Sequence, residues 1–298
     1  MNINRREFLG RSLVAGAAAA LPLATGCASN TPIRRATDII ELGPQKLKVS
    51  RMAVGTGTYG AGHSSNQIRG LGVDGVADML KSAYDKGVFF WDTADAYGTH
   101  DAVKVALKTV PRDKVVIVTK TDAWTADKTK SDIDRFLKEL NTDYIDILLL
   151  HTRMSPTWDQ DDKASMDVMA EAKQKKILRS VGISCHSVAT MKVAAKNPWL
   201  DVCMVRLNPA GERMDADPEI VLPIVKEMKA NGKGTVGIKV LGEGSLTDGK
   251  DHNEALRYAL IKDALNCFSI GCESFDDVAD NIARVEKLAV PAQVAQTA

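Results

Sequence analysis

Three consecutive apolar runs in this 298-residue sequence lead onto ionisable side chains. Phe89–Ala94 carries Asp92 and continues into Asp-Ala-Tyr-Gly, which contains Tyr97. Val115–Lys120 closes on Lys120, and Tyr144–His151 closes on His151. Ending an apolar run on lysine or histidine is costly unless the charge finds a partner. Taken singly, each residue has a structural explanation. Lys120 can snorkel to solvent, Asp92 can cap a helix, and a single histidine is ordinarily a satisfied hydrogen-bonding residue. Together, a carboxylate, a phenol, an ammonium and an imidazole are the groups that move a proton to or from a reacting oxygen.

The elements that must position them repeat regularly. Strand-like runs fall at Met52–Gly57, Phe89–Ala94, Val115–Lys120, Tyr144–His151, Leu178–Ser184, Val202–Asn208, Thr235–Leu241 and Phe268–Cys272. Between them lie amphipathic stretches with apolar residues at helical spacing: Asp74–Lys86, Asp101–Thr109, Lys130–Leu140, Lys163–Lys176, Val188–Lys196, Pro218–Ala230, Asn253–Leu260 and Asp276–Leu288. Ser131 and Asp217 stand where N-caps belong, and Gly87 and Gly232 where helices stop. Eight such repeats predict an α/β fold: a single-domain (β/α)8 TIM barrel over residues 38–290, with a short tail at 291–298. The alternative is an open doubly wound sheet. It is disfavoured because Gly55, Gly57 and Gly60 miss the GxGxxG spacing after the first strand. Asp38–Ser50 reads as a β-hairpin around Gly43-Pro44, with a polar linker at 28–37 before it. In a barrel, residues at the C-terminal ends of strands share one rim, and Asp92, Lys120 and His151 all fall there.

Composition narrows the function classes. Hydrophobic residues make up 45%, charged residues 26%, and the net charge is +1, so a large core is available and no basic footprint for nucleic acid exists. Aromatics at 5% exclude a stacking platform for bases. Residues 1–27 differ from the rest. Arg5-Arg6-Glu7-Phe8-Leu9 precedes an apolar run from Leu13 to Ala24, too short to span a membrane, and reads as an export signal of twin-arginine type. Ala24-Thr25-Gly26-Cys27 resembles a lipobox, so lipidation of Cys27 would hold the protein to the cell envelope; plain cleavage nearby is the other reading. Cys185, Cys203, Cys267 and Cys272 match no zinc spacing and read as buried small hydrophobes, although an oxidising compartment permits a disulfide. Acidic residues and histidines show no ligand-spaced cluster, so no metal is expected. His100 follows close on Tyr97 and His186 follows the fifth strand, which puts both within reach of a pocket.

Asp92 and Tyr97 in Asp-Thr-Ala-Asp-Ala-Tyr-Gly, then Lys120, then His151, resemble the catalytic tetrad of the aldo-keto reductases, and the similarity runs from about Leu47 to Leu288. The resemblance implies hydride transfer from NAD or NADP to an aldehyde or ketone, or the reverse from an alcohol. Tyr97 is then the proton donor. Lys120 is the ammonium that makes the phenol a better acid, Asp92 holds Lys120 charged, and His151 donates a hydrogen bond to the carbonyl oxygen.

The resemblance assigns the cofactor to Gly57 and Thr58 at the first strand, Ser184 and Cys185 after the fifth, and Met204 and Arg206 on the sixth. Lys239, Leu241, Gly242 and Gly244 follow the seventh strand, and Glu273 and Asn281 the eighth. This half departs from the family pattern. Cys185 stands where the family has asparagine, and Met204 where it has glutamine. Arg206 can bind a phosphate or a carboxylate, or form an outward salt bridge. The basic residue that binds the 2′-phosphate of NADP in the family aligns here with Glu273 or Ser274, which leans toward NAD or toward weak NADP binding by other groups. Tyr59, Trp124 and Trp158 either line the substrate pocket or anchor loops. The expected partner is a small carbonyl or alcohol substrate. A non-catalytic cofactor- or partner-binding barrel is the second reading, and a hydro-lyase or isomerase using Lys120 and Tyr97 the third.

Overall fold

The computed structural model describes residues 34–288. The expected export signal with Cys27, the first part of the expected linker and the expected tail at 291–298 lie outside those residues. A two-stranded antiparallel hairpin opens the described chain, β1 (Ile39–Leu42) and β2 (Leu47–Ser50). Eight parallel strands then close into a barrel: β3 (Met52–Gly55), β4 (Phe90–Asp92), β5 (Val116–Thr121), β6 (Ile145–Arg153), β7 (Leu178–Cys185), β8 (Val202–Arg206), β9 (Gly234–Ile238) and β10 (Cys267–Gly271). β10 pairs with both β9 and β3, so the sheet has no free edge and the open-sheet alternative is excluded. The helices around it are α1 (Asn66–Asp85), α2 (His100–Ala106), α3 (Ala126–Leu140), α4 (Trp158–Asp161), α5 (Lys163–Gln174), α6 (Val188–Ala194), α7 (Pro218–Ala230), α8 (Gly249–Ile261) and α9 (Phe275–Lys287). Among the described residues, no helix is long and apolar enough to cross a membrane.

The two-residue period of the strands divides the core into two. Phe90, Val116, Val118, Ile147, Leu149, Met204 and Val236 fill the barrel interior. Trp91, Ile117, Leu148, Leu150, Val181, Ile183 and Cys203 face the helices. The same alternation turns Asp92, Lys120 and His151 inward, one step beyond Phe90, Val118 and Leu149 respectively. The hairpin plugs the barrel: Leu42, Leu47 and Val49 pack into the interior core with Ala53 and Phe90. Its turn fits because Gly43 has φ +65 and a Cβ there would lie 2.8 Å from the Asp201 carbonyl.

Three details differ from the sequence expectation. α3 begins at Ala126 under a Thr125 cap whose hydroxyl accepts from the Lys128 N–H, so Ser131 lies inside the helix and caps nothing. α1 starts at Asn66 and bends at Gly72 (φ 66), a residue that hid the first turns from a periodicity reading. Within 28–37, Ala36 is fully buried in the core and its carbonyl accepts from Met52 N–H, so the described end of that stretch belongs to the barrel. Cys185, Cys203, Cys267 and Cys272 are all buried and free, with Cys185 Sγ 3.2 Å from Cys203 Sγ.

Candidate active site

Asp92 closes β4 inside the barrel and binds two side chains. Its Oδ1 accepts from Lys120 Nζ at 2.5 Å, and its Oδ2 accepts from the Ser269 hydroxyl on β10 at 2.7 Å. Lys120 is 1% exposed, and a second ammonium proton goes to the Thr93 carbonyl at 2.8 Å. Burial works against the charged lysine, but Asp92 and Tyr97 outweigh it and hold the pKa above its ordinary value. The ammonium lies 4.7 Å from the centre of the Tyr97 ring.

Tyr97 is carried by a single 3-10 turn, Asp95–Tyr97, after β4. Gly98 ends that turn at φ 67, where a Cβ would stand 2.1 Å from the His63 carbonyl. Two other glycines make room for the ring. A Cβ on Gly57 would fall 2.2 Å from Tyr97 Cε2, and one on Gly60 would fall 2.4 Å from Cδ1. The lateral position of the phenol is therefore set by absent side chains. Burial raises the Tyr97 pKa, Lys120 pulls it down, and burial prevails. The ammonium acts in the expected direction without overcoming burial. Lys120 offsets part of a larger desolvation effect.

His151 stands edge-on to Tyr97, with ring centroids 5.7 Å apart. Residue 152, with φ 53, is the extra residue of a bulge that shifts the β6–β7 register after Leu150. The bulge leaves His151 facing inward and sends Arg153 to a buried pair with Asp162 at 2.7 Å. His151 Nδ1 lies 3.2 Å from Asp122 Oδ1 in a contact too bent for a full hydrogen bond. Burial lowers the His151 pKa and Asp122 opposes it, so the ring is neutral near pH 7.

Asp92, Tyr97 and Lys120 floor a cavity of about 1030 Å³. It runs beneath the loop after β9, lined by Lys239, Leu241, Gly242 and Gly244, to the start of α9, where Glu273, Asp277, Asn281 and Arg284 line it. Residues 51–296 match the model of the aldo/keto reductase family. The chain belongs to the aldo/keto reductase family. It is 23% identical to L-galactose dehydrogenase of Arabidopsis thaliana, over 83% of this chain and 88% of that protein. It is 31% identical to methylglyoxal reductase YeaE of Escherichia coli, over 52% of this chain and about half, 53%, of that protein. In fold it is similar to the holo form of aldo-keto reductase AKR11C1 of Bacillus halodurans, with TM-score 0.70 and 23% identity over 89% of this chain and 96% of that one. Membership places the chain among oxidoreductases of carbonyl groups.

The family's cofactor positions are only partly assembled in this member. Gly57, Thr58, Lys239, Leu241, Gly242, Gly244, Glu273 and Asn281 line the cavity; Ser184, Cys185, Met204 and Arg206 do not. Cys185 faces the helices and packs on Cys203, because it follows inward-facing Ser184 by one residue. Met204 is fully buried in the barrel interior. Cys185 therefore faces away from the site, against its assignment, and Met204 lies inside the barrel without lining the cavity. Ser184 Oγ lies 3.2 Å from His186 Nε2, and Arg206 is forked onto buried Asp215. His186 is driven down to about 3 by burial and by Arg206, so it is neutral. The Asn281 carboxamide is engaged by His252 at 2.8 Å and donates to the Asp277 carbonyl. Tyr59 lines the cavity, Trp124 is exposed over Arg153, and Trp158 is fully buried in the core, which removes it from the pocket. His100 turns away from the cavity toward Glu139 and Thr119.

Four participants escaped the sequence reading: Ser269, Asp122, Gly60 and Glu243. Ser269 carried a readable signal, a hydroxyl at an inward position of an apolar strand. Glu243 pairs with Lys239 and Arg213 through folding of the loop, which the linear order does not display.

Proposed function

We propose that this family member reduces aldehydes or ketones, or oxidises the matching alcohols, with a bound nicotinamide dinucleotide and with Tyr97 as the proton donor. One observation carries the reading: the buried Lys120–Asp92 pair lies against the Tyr97 ring on the floor of a long cavity. At about 1030 Å³ the cavity stands at the upper end of ligand pockets, and its two ends are chemically distinct, as a dinucleotide requires. Bound nicotinamide supplies the hydride. The residues manage the oxygen. As negative charge develops there, the Tyr97 hydroxyl gives up its proton, and carbonyl plus hydride plus proton becomes alcohol. Lys120 lowers the cost of the phenolate left behind, and Asp92, Ser269 and the Thr93 carbonyl keep that ammonium charged and in place. Neutral His151 donates a hydrogen bond to the same oxygen.

The far end of the cavity favours NAD over NADP. Glu273, Asp277 and Asp280 line it, and Arg284, its guanidinium already on Asp280 and Asn253, offsets only one of them. Carboxylates repel a 2′-phosphate and accept from a free ribose hydroxyl. Residues 1–27 are proposed to direct export, with Cys27 as a lipid-attachment site; incorporation of a labelled fatty acid that is lost in Cys27→Ala tests this. A non-catalytic barrel is the competing reading, favoured by the absence of Cys185 and Met204 from the cavity. Titrating the purified protein with NADH and NADPH while following tryptophan fluorescence, then measuring turnover of a panel of aldehydes and ketones, separates the two. The proposal expects saturable binding, tighter for NADH, followed by turnover. Binding without turnover selects the non-catalytic barrel; no binding removes the oxidoreductase reading and leaves a partner-binding barrel or a hydro-lyase or isomerase.

A further inference from the structure

Asp95, His100 and Glu139 lie close enough for their ligand atoms to fall within 4.8 Å of one another, the arrangement of a metal site. A guanidinium is already bound to two of them. Arg135, on α3, donates to both oxygens of Asp95 at 2.8 and 2.7 Å and to Glu139 Oε1 at 2.9 Å. It also donates to Asp132 Oδ1 at 2.9 Å. Each of the three carboxylates leads back to the reaction centre. Asp95 is the first residue of the 3-10 turn whose last residue is Tyr97. Glu139 Oε2 accepts from His100 Nδ1 at 2.7 Å, and His100 Nε2 lies 2.8 Å from the Thr119 hydroxyl. Asp132 Oδ2 accepts from the Thr121 hydroxyl at 2.6 Å. Thr119 and Thr121 flank Lys120 on β5.

We propose that Arg135 is a positioning residue for the proposed proton transfer: its guanidinium ties the turn bearing Tyr97 to the strand end bearing Lys120. The inference rests on the reading of Tyr97 as proton donor, but the tie is a property of the protein alone. The turn needs it. It has one turn of 3-10 structure, no side-chain cap, and a left-handed glycine behind it. A turn of that kind holds a phenol to a fraction of an ångström only if something else fixes its backbone. The planar fork of arginine meets three carboxylates at once, which a lysine ammonium does with poorer geometry. The other charged and titratable groups facing the network are Lys128, paired with Asp132, and His63, 3.5 Å from Asp95. Neither reaches both Asp95 and Asp132. The Arg135 side chain is 35% exposed, so a small cation from solvent can enter its place.

Hydrogen exchange followed by mass spectrometry on the cofactor-free protein reads the tie directly. In Arg135→Ala, amides at 95–99 and 119–121 are expected to exchange faster by on the order of tenfold, while α7 and β8 keep wild-type protection. Added guanidinium should restore protection at both segments, whereas equal ionic strength of sodium chloride should not. In turnover assays the same variant should lose kcat with little change in KM, and guanidinium should recover part of the loss. Asp95→Asn, a smaller change, should loosen 95–99 alone and guards against misfolding of the alanine variant. Wild-type protection at 95–99 in both variants overturns the tie. Faster exchange throughout the chain, or exchange indifferent to guanidinium, reduces Arg135 to a general stability role and overturns the proposal as well. If the wild-type protein turns over no carbonyl yet the exchange pattern appears, the tie stands and the assignment of Tyr97 fails.

Discussion

Asp122 shows how far one exposed carboxylate sets the behaviour of a buried ring. It faces His151 from the loop after β5, and each shifts the other: the histidine lowers the Asp122 pKa, and Asp122 opposes the downward push of burial on His151. In Asp122→Asn that opposition disappears. The His151 titration followed by NMR should then move further below its wild-type midpoint. The sign for stability follows. A histidine whose folded pKa lies below its unfolded value of about 6.5 costs the native state stability as pH falls through that value, because the unfolded chain takes the proton first. The variant should therefore lose more stability than the wild type between neutral pH and pH 5, as read by chemical denaturation. An unchanged midpoint would mean that the bent 3.2 Å contact carries no electrostatic coupling. Residue types were the legible part of this site. Asp92, Lys120 and His151 stand out because each breaks an apolar pattern, and Tyr97 through the Asp-Thr-Ala-Asp-Ala-Tyr-Gly block it belongs to. Asp122 does not, since a carboxylate in a loop has an ordinary explanation in solvent.

At the scale of elements, the turn after β4 is the sensitive part, because glycines define the space around the phenol. Gly57→Ala places a methyl group 2.2 Å from the Tyr97 ring, and the adjacent backbone of β3 leaves it little freedom to retreat. The ring must swing aside. The expected outcome is a loss of about 100-fold in kcat, the scale of a misplacement near 1 Å, with cooperative unfolding retained. Steady-state kinetics beside a thermal melt checks this; a loss of activity that only tracks a loss of folded protein would contradict it. Strand positions were legible to within a few residues because alternation between interior and helix-facing core is strong, as in Val116, Ile117, Val118 and Thr119 on β5. The ends were less so. β8 and β9 stop at Arg206 and Ile238, before the apolar runs do, because the chain leaves the sheet to build the rim. Cys185 escaped a correct assignment because an alignment gives a position along a strand, but the one-residue alternation decides which face it occupies.

The molecule as a whole separates stability from chemistry along the barrel axis. The hairpin closes one end and the reactive groups occupy the other. Leu42, fully buried in the interior core, belongs to the first. Leu42→Ala should lower stability by about 2–5 kcal/mol, the usual cost of a buried leucine, without altering the turnover of the folded fraction. Urea denaturation and active-site titration together read both quantities. The fold was legible from the repeat of eight strand–helix units, since closure follows from having no edge to leave exposed. The cofactor end was less legible. Its acidic character emerges only when Glu273, Asp277 and Asp280 meet at one end of the cavity. The central claim is that the Tyr97 hydroxyl delivers the proton that completes hydride transfer. Its most direct test is single-turnover reduction by Tyr97→Phe with bound dinucleotide, on a substrate the wild-type protein accepts. The variant should bind cofactor as tightly as wild type and transfer hydride slower by about 100-fold or more, the scale of a lost proton donor. Equal rates in the two proteins would contradict the account.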